Sequence, residues 1–588
     1  WGTLARWIAD EAETREQRQR LEAAAREWER LGHARDALWG GRLLQEVAAL
    51  EEAALGSRER RFLEASRLAV RRKQRLRRAA GVGFVLALAL AASVVKLKAM
   101  MDRERAATAE LRDASRLLAE ASERAKAEDG ARREAYRAFD TRNVPGGEEL
   151  WTVALSEAEE VDRRYAVAAV PLERALTLGH ERPDVQRTMA DFLYERAVRA
   201  ERFGRKDLRD LLAQRLELVD AGGERWRRWT APAVVELELP PGARVAVSRY
   251  AVRPGGGFAL EAVAAEEAPS GYGRLELPAG SYLLSLSAPG LEPVRYPVLL
   301  DRGERVRLKV PLPKLGAVPK GLAYVPPGRF LFGSAADEGI RKFFNTVPIH
   351  PVEIGAFLIS RHETTWGEWL EFLESLPPKE RAKRTPSAGG FYGAIQLRNL
   401  PDGRWKLGLA PNGKLLSAVS GDRLHYPGRK LRADVDWLRL PVSGISFDDA
   451  RAYAAWLKQT RRLPGARLCT EMEWERAAKG ADSREFPHGN QLAPDDANFD
   501  LTYGKDPLGF GPDEVGSHPA SESPFGVHDL VGNVWEWTES SLAEGKPVAR
   551  GSSYYFGSNA CRTSNRESPE PTFRDLTVGM RICADVAW

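Results

Sequence analysis

Ser523–Ser540 reads SPFGVHDLVGNVWEWTES, and this stretch decides the fold of the C-terminal part of the chain. Trp535 and Trp537 alternate with Val534 and Glu536, the period of two that marks a strand with one face in a core. Just before them, Gly532-Asn533 signals a turn. Asp529 and Glu536 flank that turn, and two carboxylates with turn carbonyls are the hard oxygen donors that suit Ca2+. Read without an ion, the same two side chains are a turn cap and a surface carboxylate.

Working outward, further short motifs follow one another in a fixed order. LAYVPPGRFLFGS (Leu322–Ser334) and PIHPVEIGAFLISRHETT (Pro348–Thr365) come first, then LPVSGISFDDARAYAAWL (Leu440–Leu457). RLCTEMEWERAAKG (Arg467–Gly480) and FPHGN (Phe486–Asn490) precede the opening stretch; ARGSSYY (Ala549–Tyr555) and VGMRIC (Val578–Cys583) follow it. The order and spacing of these motifs resemble the formylglycine-generating enzyme (sulfatase-modifying factor) family, whose α+β, loop-rich fold is related to C-type lectins. The resemblance covers 318–588.

What the resemblance implies is specific. One calcium ion would take the side chains of Asp529 and Glu536 and the carbonyls of Gly532 and Val534. A second would take Asn498, the carbonyl of Phe499, and Asp506, although GKDPLGF carries an extra residue there that obscures the last ligand. The family's catalytic centre is a pair of cysteines five residues apart that bind Cu(I) and convert a substrate cysteine, in a Cys-x-Pro-x-Arg segment, to formylglycine. Here Cys561 falls at the second position and Phe556 at the first, while Ser553 matches the serine of the family's Arg-Gly-Gly-Ser motif. One thiolate alone is a poor site for soft Cu(I). Cys561 therefore reads first as a buried small hydrophobe, and rescue by Cys469 or Cys583 would need proximity in space.

Other chemistries are excluded by pattern. The eight histidines contain no His-Glu-x-x-His or His-x-x-x-His, which also removes the two-histidine iron site of the related sulfoxide synthases. His362 beside Glu363 reads as structural. No G-x-x-x-x-G-K-[ST] occurs.

The remainder of the chain differs in texture. Over 588 residues, 43% hydrophobic and 29% charged composition excludes a wholly disordered chain. A net charge of +5, spread among Glu and Asp, gives no concentrated basic face, so no nucleic-acid partner is expected. Three cysteines exclude a disulfide scaffold but allow one bridge.

Ala79–Val95 carries no charge over 17 positions, enough for a short transmembrane helix at 79–96. Arg71, Arg72, Lys73, Arg75, Arg77 and Arg78 precede it, against Lys96 and Lys98 behind. The positive-inside rule then predicts a single pass through the inner (cytoplasmic) membrane, N-terminus cytoplasmic and C-terminal domains periplasmic or extracellular.

Residues 1–78 read as a cytoplasmic helical region, and their Trp-, Gly-Arg-Leu- and Phe-Leu-x-x-Ser-containing texture resembles the tail of STAND-type signalling ATPases. The chain begins with Trp1 rather than Met, so an upstream cytoplasmic signalling module is expected. Residues 97–228 read as a helical stalk or helical hairpins acting as a spacer, with Pro183 at a helix start. Residues 230–313 alternate over short lengths between Pro-Pro-Gly and Gly-rich turns, which predicts a small β-sandwich; LELPPGARVAV and ELPAGSYLLSLSAPG resemble PEGA-type domains of bacterial surface proteins.

The sequence thus predicts a multidomain, membrane-anchored protein. Its outer domain is expected to bind a peptide or protein ligand as a sensor with a degraded copper site. The alternative is an active oxidase acting on a substrate cysteine.

Overall fold

The computed structural model describes residues 2–268, 271–390, 393–504 and 506–587. The chain divides into two compact units, Trp1–Ala109 and Glu110–Trp588.

In the first unit a helix spans Gly2–Arg30, a short one spans Gly41–Glu46, and a long one begins at Ser57 and runs to Asp140. Leu21, Ala25, Trp28, Val47, Leu55, Phe62 and Leu63 close a small core. Its Arg–Glu pairs at helical spacing, such as Arg20–Glu16, are exposed and contribute little. The apolar stretch is different. Val82, Phe84, Leu86, Leu90 and Val95 each stand 60–67% exposed, and among the described residues this one helix is long and apolar enough to cross a membrane.

The second unit begins with helices Val144–Leu178, Pro183–Arg202, Lys206–Val219 and Glu224–Trp229. Pro145-Gly146-Gly147 does not break the chain: Pro145 sits in the first helical turn, where its missing N–H costs nothing, and the Asn143 side chain accepts from Gly146 N. Pro183 starts its helix as the sequence predicts. Val161, Tyr165, Leu172, Met189, Phe192, Leu193, Leu212 and Leu216 bury the inner faces.

These helices are not a free-standing spacer. Phe139 and Trp151 pack into one cluster with Phe330, Phe332 and Val347 of the C-terminal domain. Arg341, almost fully buried, forks onto Glu148 at 2.7 Å with both terminal nitrogens. That docking uses aromatic and Arg anchors far apart in sequence, which periodicity cannot reveal.

Seven strands follow: β1 (Ala233–Glu238), β2 (Ala243–Val252), β3 (Phe258–Ala268), β4 (Tyr272–Leu277), β5 (Gly280–Ser287), β6 (Val294–Leu300) and β7 (Arg305–Lys309). They form a sheet of order β4-β1-β7 and another of order β3-β2-β5-β6. The inward residues of both, among them Val235, Leu237, Val245, Val247, Tyr282, Leu284 and Leu300, make one core. Strand β3 is absent from the sequence reading, because its Ala- and Glu-rich run holds a single β-branched residue, Val263.

The C-terminal domain is built on a four-stranded sheet in the order Ala466–Leu468, Ile582–Asp585, Phe357–Ser360, Leu322–Val325. Helices Trp366–Ser375, Phe447–Gln459 and Glu471–Lys479 each start with a reciprocal capping box: Thr365 with Glu368, Ser446 with Asp449, Thr470 with Glu473. Each such cap is worth about 1 kcal/mol. Trp366, Trp369, Trp437, Trp474 and Trp537 are fully buried, each withdrawing roughly 150–250 Å² from water. Cys469 and Cys583, 114 residues apart, are joined in a disulfide between neighbouring strand ends.

Candidate functional site

The turn ahead of Trp535–Ala543 is held in a conformation few residues adopt. Asp529, Gly532 and Asn533 all have left-handed φ, at 57°, 75° and 57°. A Cβ on Gly532 would lie 2.1 Å from the carbonyl oxygen of Asn498, so only glycine fits. Asn533 N donates to that same oxygen at 2.8 Å. The two calcium loops predicted from the sequence are therefore stitched together, backbone to backbone.

Glu536 is fully buried at the start of the strand. Its Oε2 accepts from Arg581 Nε and from Trp474 Nε1, both at 2.6 Å, and its Oε1 from Arg581 Nη2 at 2.7 Å. Asp529, also buried, accepts from Gly516 N at 2.6 Å. Between them stands Glu363, which the sequence reading treats only as His362's neighbour. Its Oε2 accepts from Asn533 Nδ2 at 3.1 Å, while its Oε1 is buried without a hydrogen-bond partner. Burial, with the Asp529 and Glu536 carboxylates nearby, holds the Glu363 carboxyl well above the usual range.

Three buried carboxylates thus face one guanidinium. Fully ionised, the group carries two negative charges in excess, and buried charge requires compensation. A divalent cation meets that requirement, and the orphaned Glu363 oxygen is a hard donor for it. Among the described residues no three His, Cys, Asp or Glu side chains stand in ligating geometry. A calcium ion here would accordingly draw on the Gly532 and Val534 carbonyls and on water as well as on side chains. An ion there would have to share Glu536 with Arg581 and Trp474, which already donate to both of its oxygens. The signals for Glu363 and Arg581 lay in the RHETT and VGMRIC motifs, but nothing in one sequence says that both fold onto one turn.

The second predicted set also converges. Asn498, Phe499 and Asp506 line, with Asp500 and Tyr503, a small pocket of about 10 Å³, the room of one water or ion. Asn498 Nδ2 donates to Gly511 O at 3.0 Å, and Asp506 Oδ1 accepts from Leu508 N at 2.9 Å. Lys505, in the extended GKDPLGF loop, lies outside the described residues. Alongside, Arg429 is wholly buried and donates to Asp513 at 2.6 Å and to the carbonyls of Gly509 and Gly511 at 2.7 Å. Burial pushes the Asp513 carboxyl up, yet the Arg429 guanidinium and His518 outweigh it and hold it below the usual range.

At the family's two copper positions the chain carries Phe556 and Cys561. Cys561 is fully buried among Phe486, Ala497, Phe499 and Val531. Burial pushes its thiol up to about 12, the opposite of an activated thiolate. At the first-cysteine position the Phe556 ring packs edge-on against Trp535 at 5.9 Å. Cys469 and Cys583 are committed to each other and sit in a different cluster, with Trp474 and Phe525. A single protonated thiol is no donor set for Cu(I). Ser553 is buried too, its Oγ accepting from Tyr555 N at 3.3 Å.

Comparison with known proteins finds relatives of the C-terminal domain. Residues 313–586 match the family described as "Sulfatase-modifying factor enzyme 1-like domain". The formylglycine-generating enzyme of Mycobacterium tuberculosis (strain ATCC 25618 / H37Rv) is 31% identical over 236 residues, 38% of this chain and 74% of that protein. An inactive C-alpha-formylglycine-generating enzyme 2 of Mus musculus is 29% identical over 48% of this chain and 91% of its own length. Hercynine oxygenase of Mycolicibacterium smegmatis (strain ATCC 700084 / mc(2)155) is 31% identical over 49% of this chain, which spans 66% of that relative.

Proposed function

Because the chain belongs to the formylglycine-generating enzyme (sulfatase-modifying factor) family through its C-terminal domain, we propose that it is a membrane-anchored binding or sensor protein whose copper chemistry has been lost. The observation that carries this reading is the phenyl ring of Phe556 at the first copper position, with Cys561 a buried, protonated thiol. Loss of a soft-metal pair leaves a rigid, loop-rich surface, and such surfaces suit recognition.

Several observations support the setting. The apolar stretch 79–95 is unburied along its whole length, and a continuous apolar surface of that size is unstable in water. The basic block at Arg71–Arg78 favours a cytoplasmic N-terminus. The Cys469–Cys583 bridge favours an oxidising compartment for the C-terminal domain. The β-sandwich is read as a PEGA-type carrier. The first 78 residues are read as the tail of a STAND-type signalling protein, with the outer domain as its sensor for a peptide or protein ligand. Calcium is assigned to both turn sites as a structural ion.

The test uses the full chain in detergent, with Cu(I), oxygen and a Cys-x-Pro-x-Arg peptide, read by mass spectrometry. No aldehyde above a metal-free control is expected; its formation would overturn the binding reading in favour of an active modifying enzyme.

A further inference from the structure

A cleft of about 920 Å³ opens between the outer face of the β-sandwich and the C-terminal domain, within the second compact unit. That size falls in the range of small-molecule sites, which favour domain seams. Its walls come from residues that neither the copper nor the calcium reading uses. Arg244 on β2, Arg295 on β6 and Arg361 just after strand Phe357–Ser360 all line it, as does the edge of the largely buried Phe525. Glu292 also lines it, with Oε1 engaged in accepting from Gly316 N at 2.6 Å.

Two of the guanidinium groups converge on one point. Arg361 Nη1 donates to Gly526 O at 2.8 Å, and Arg295 is ion-paired with Glu522. A Cβ on Gly526 would meet Arg361 Nη1 at 2.8 Å, Arg295 Nη1 at 3.3 Å and Glu522 Oε1 at 3.6 Å. Two cations therefore crowd against a single carboxylate around a glycine with φ of 80°. Like charges at such range repel, and an oxyanion bridging two forks relieves the repulsion with charge-assisted hydrogen bonds. Arg244 lines the same cleft.

We propose that this cleft binds a small organic anion: a carboxylate, sulfonate or sulfate group held by Arg295 and Arg361, with an aromatic or aliphatic body over Phe525. The site adds a ligand class to the binding reading above and rests on it only in treating the outer region as a binder. Its failure would leave the peptide assay for aldehyde, and the behaviour of the calcium turns, unaffected.

The experiment is calorimetric titration of the full chain in lipid nanodiscs with 5-sulfosalicylate, an aromatic sulfonate, and in parallel with inorganic sulfate. Saturable, salt-sensitive binding of 5-sulfosalicylate at one site per chain is expected, tighter than sulfate because of its ring. Arg361→Ala should weaken it by at least roughly tenfold, the loss of a charged hydrogen-bond donor. Ser285→Glu is the control for folding. Ser285 is exposed on β5 directly opposite Arg295, so a carboxylate there pairs across the strands, keeps the melting temperature, and occupies the anion's position. It should abolish binding. Absence of saturable 5-sulfosalicylate binding, or binding equal in wild type and both variants, would overturn the proposal.

Discussion

The carbonyl oxygen of Asn498 lies where a side chain on Gly532 would have to begin: 2.1 Å from a Cβ built there. Through this one contact the two oxygen-rich turns of the C-terminal domain act as one body. Gly532→Ala must push the loops apart and also hold alanine at a φ of 75°. Overpacking and left-handed strain together predict a loss of about 2–4 kcal/mol. Thermal unfolding of the full chain followed by tryptophan fluorescence should show the midpoint falling by several degrees; an unchanged midpoint would contradict the close approach.

Calcium should stabilise the same region. An ion that binds only the folded form adds about 2.7 kcal/mol at a hundredfold excess over Kd. The full chain is expected to melt lower in chelator than in millimolar calcium. Asp529→Ala should remove most of the difference, and Cys561→Ser should leave it intact. Equal midpoints for the wild type with and without calcium would refute the calcium assignment.

Glu363→Gln separates repulsion from ligation. Removing one of three buried carboxylates should raise the melting point in chelator while shrinking the further gain from calcium. A variant that loses stability in chelator would show that Glu363 is held by favourable contacts rather than in excess charge.

The thiol of Cys561 should be inert in the native state. With its folded value pushed up to about 12, only about one molecule in ten thousand carries the thiolate at pH 8. Labelling by a disulfide reagent should therefore appear only with unfolding. The sign of the linkage follows. A raised folded value favours folding fully below the unfolded thiol's value, about 8.5, and this contribution is lost as pH rises from there toward 12. Cys561→Ala should flatten the stability profile across that window. Rapid labelling of folded protein at pH 8 would reopen a reactive role.

The bridge between Cys469 and Cys583 closes a long loop, for which the chain-entropy account predicts a contribution of about 2–5 kcal/mol. Cys583→Ser, or reduction, should lower the melting point accordingly. Full-length protein recovered from cells with both thiols free would count against an oxidising compartment for this domain.

Much of the architecture was legible in local chemistry. Ser446 with Asp449 and Thr470 with Glu473 announce helix starts, and the alternation around Trp535 announces its strand. The calcium-turn residues Asp529 and Glu536 were also within reach, because they are close in sequence. Glu363 and Arg581 were not, since they reach Glu536's turn from strand ends remote from each other in the chain. Strand β3 stayed hidden because pairing with β2, not its own Ala- and Glu-rich composition, makes it a strand. Docking of Trp151 and Glu148 onto Glu338 and Arg341 stayed hidden for the same reason: the partners are remote and each is ordinary alone.

The strand Ile582–Asp585 is an interior member of its sheet, flanked by Ala466–Leu468 and Phe357–Ser360. The domain's first strands consequently lack their central neighbour until the ribosome has translated Ile582–Asp585, more than 220 residues after Phe357–Ser360. Until then Phe357–Ser360 presents an open edge, ready to mispair. Closure of this domain is thus timed by the synthesis of Ile582–Asp585. Deletion of Ile582–Asp585 alone should cost the domain its fold, whereas a short deletion in an exposed turn such as Asp402–Gly403 should be borne.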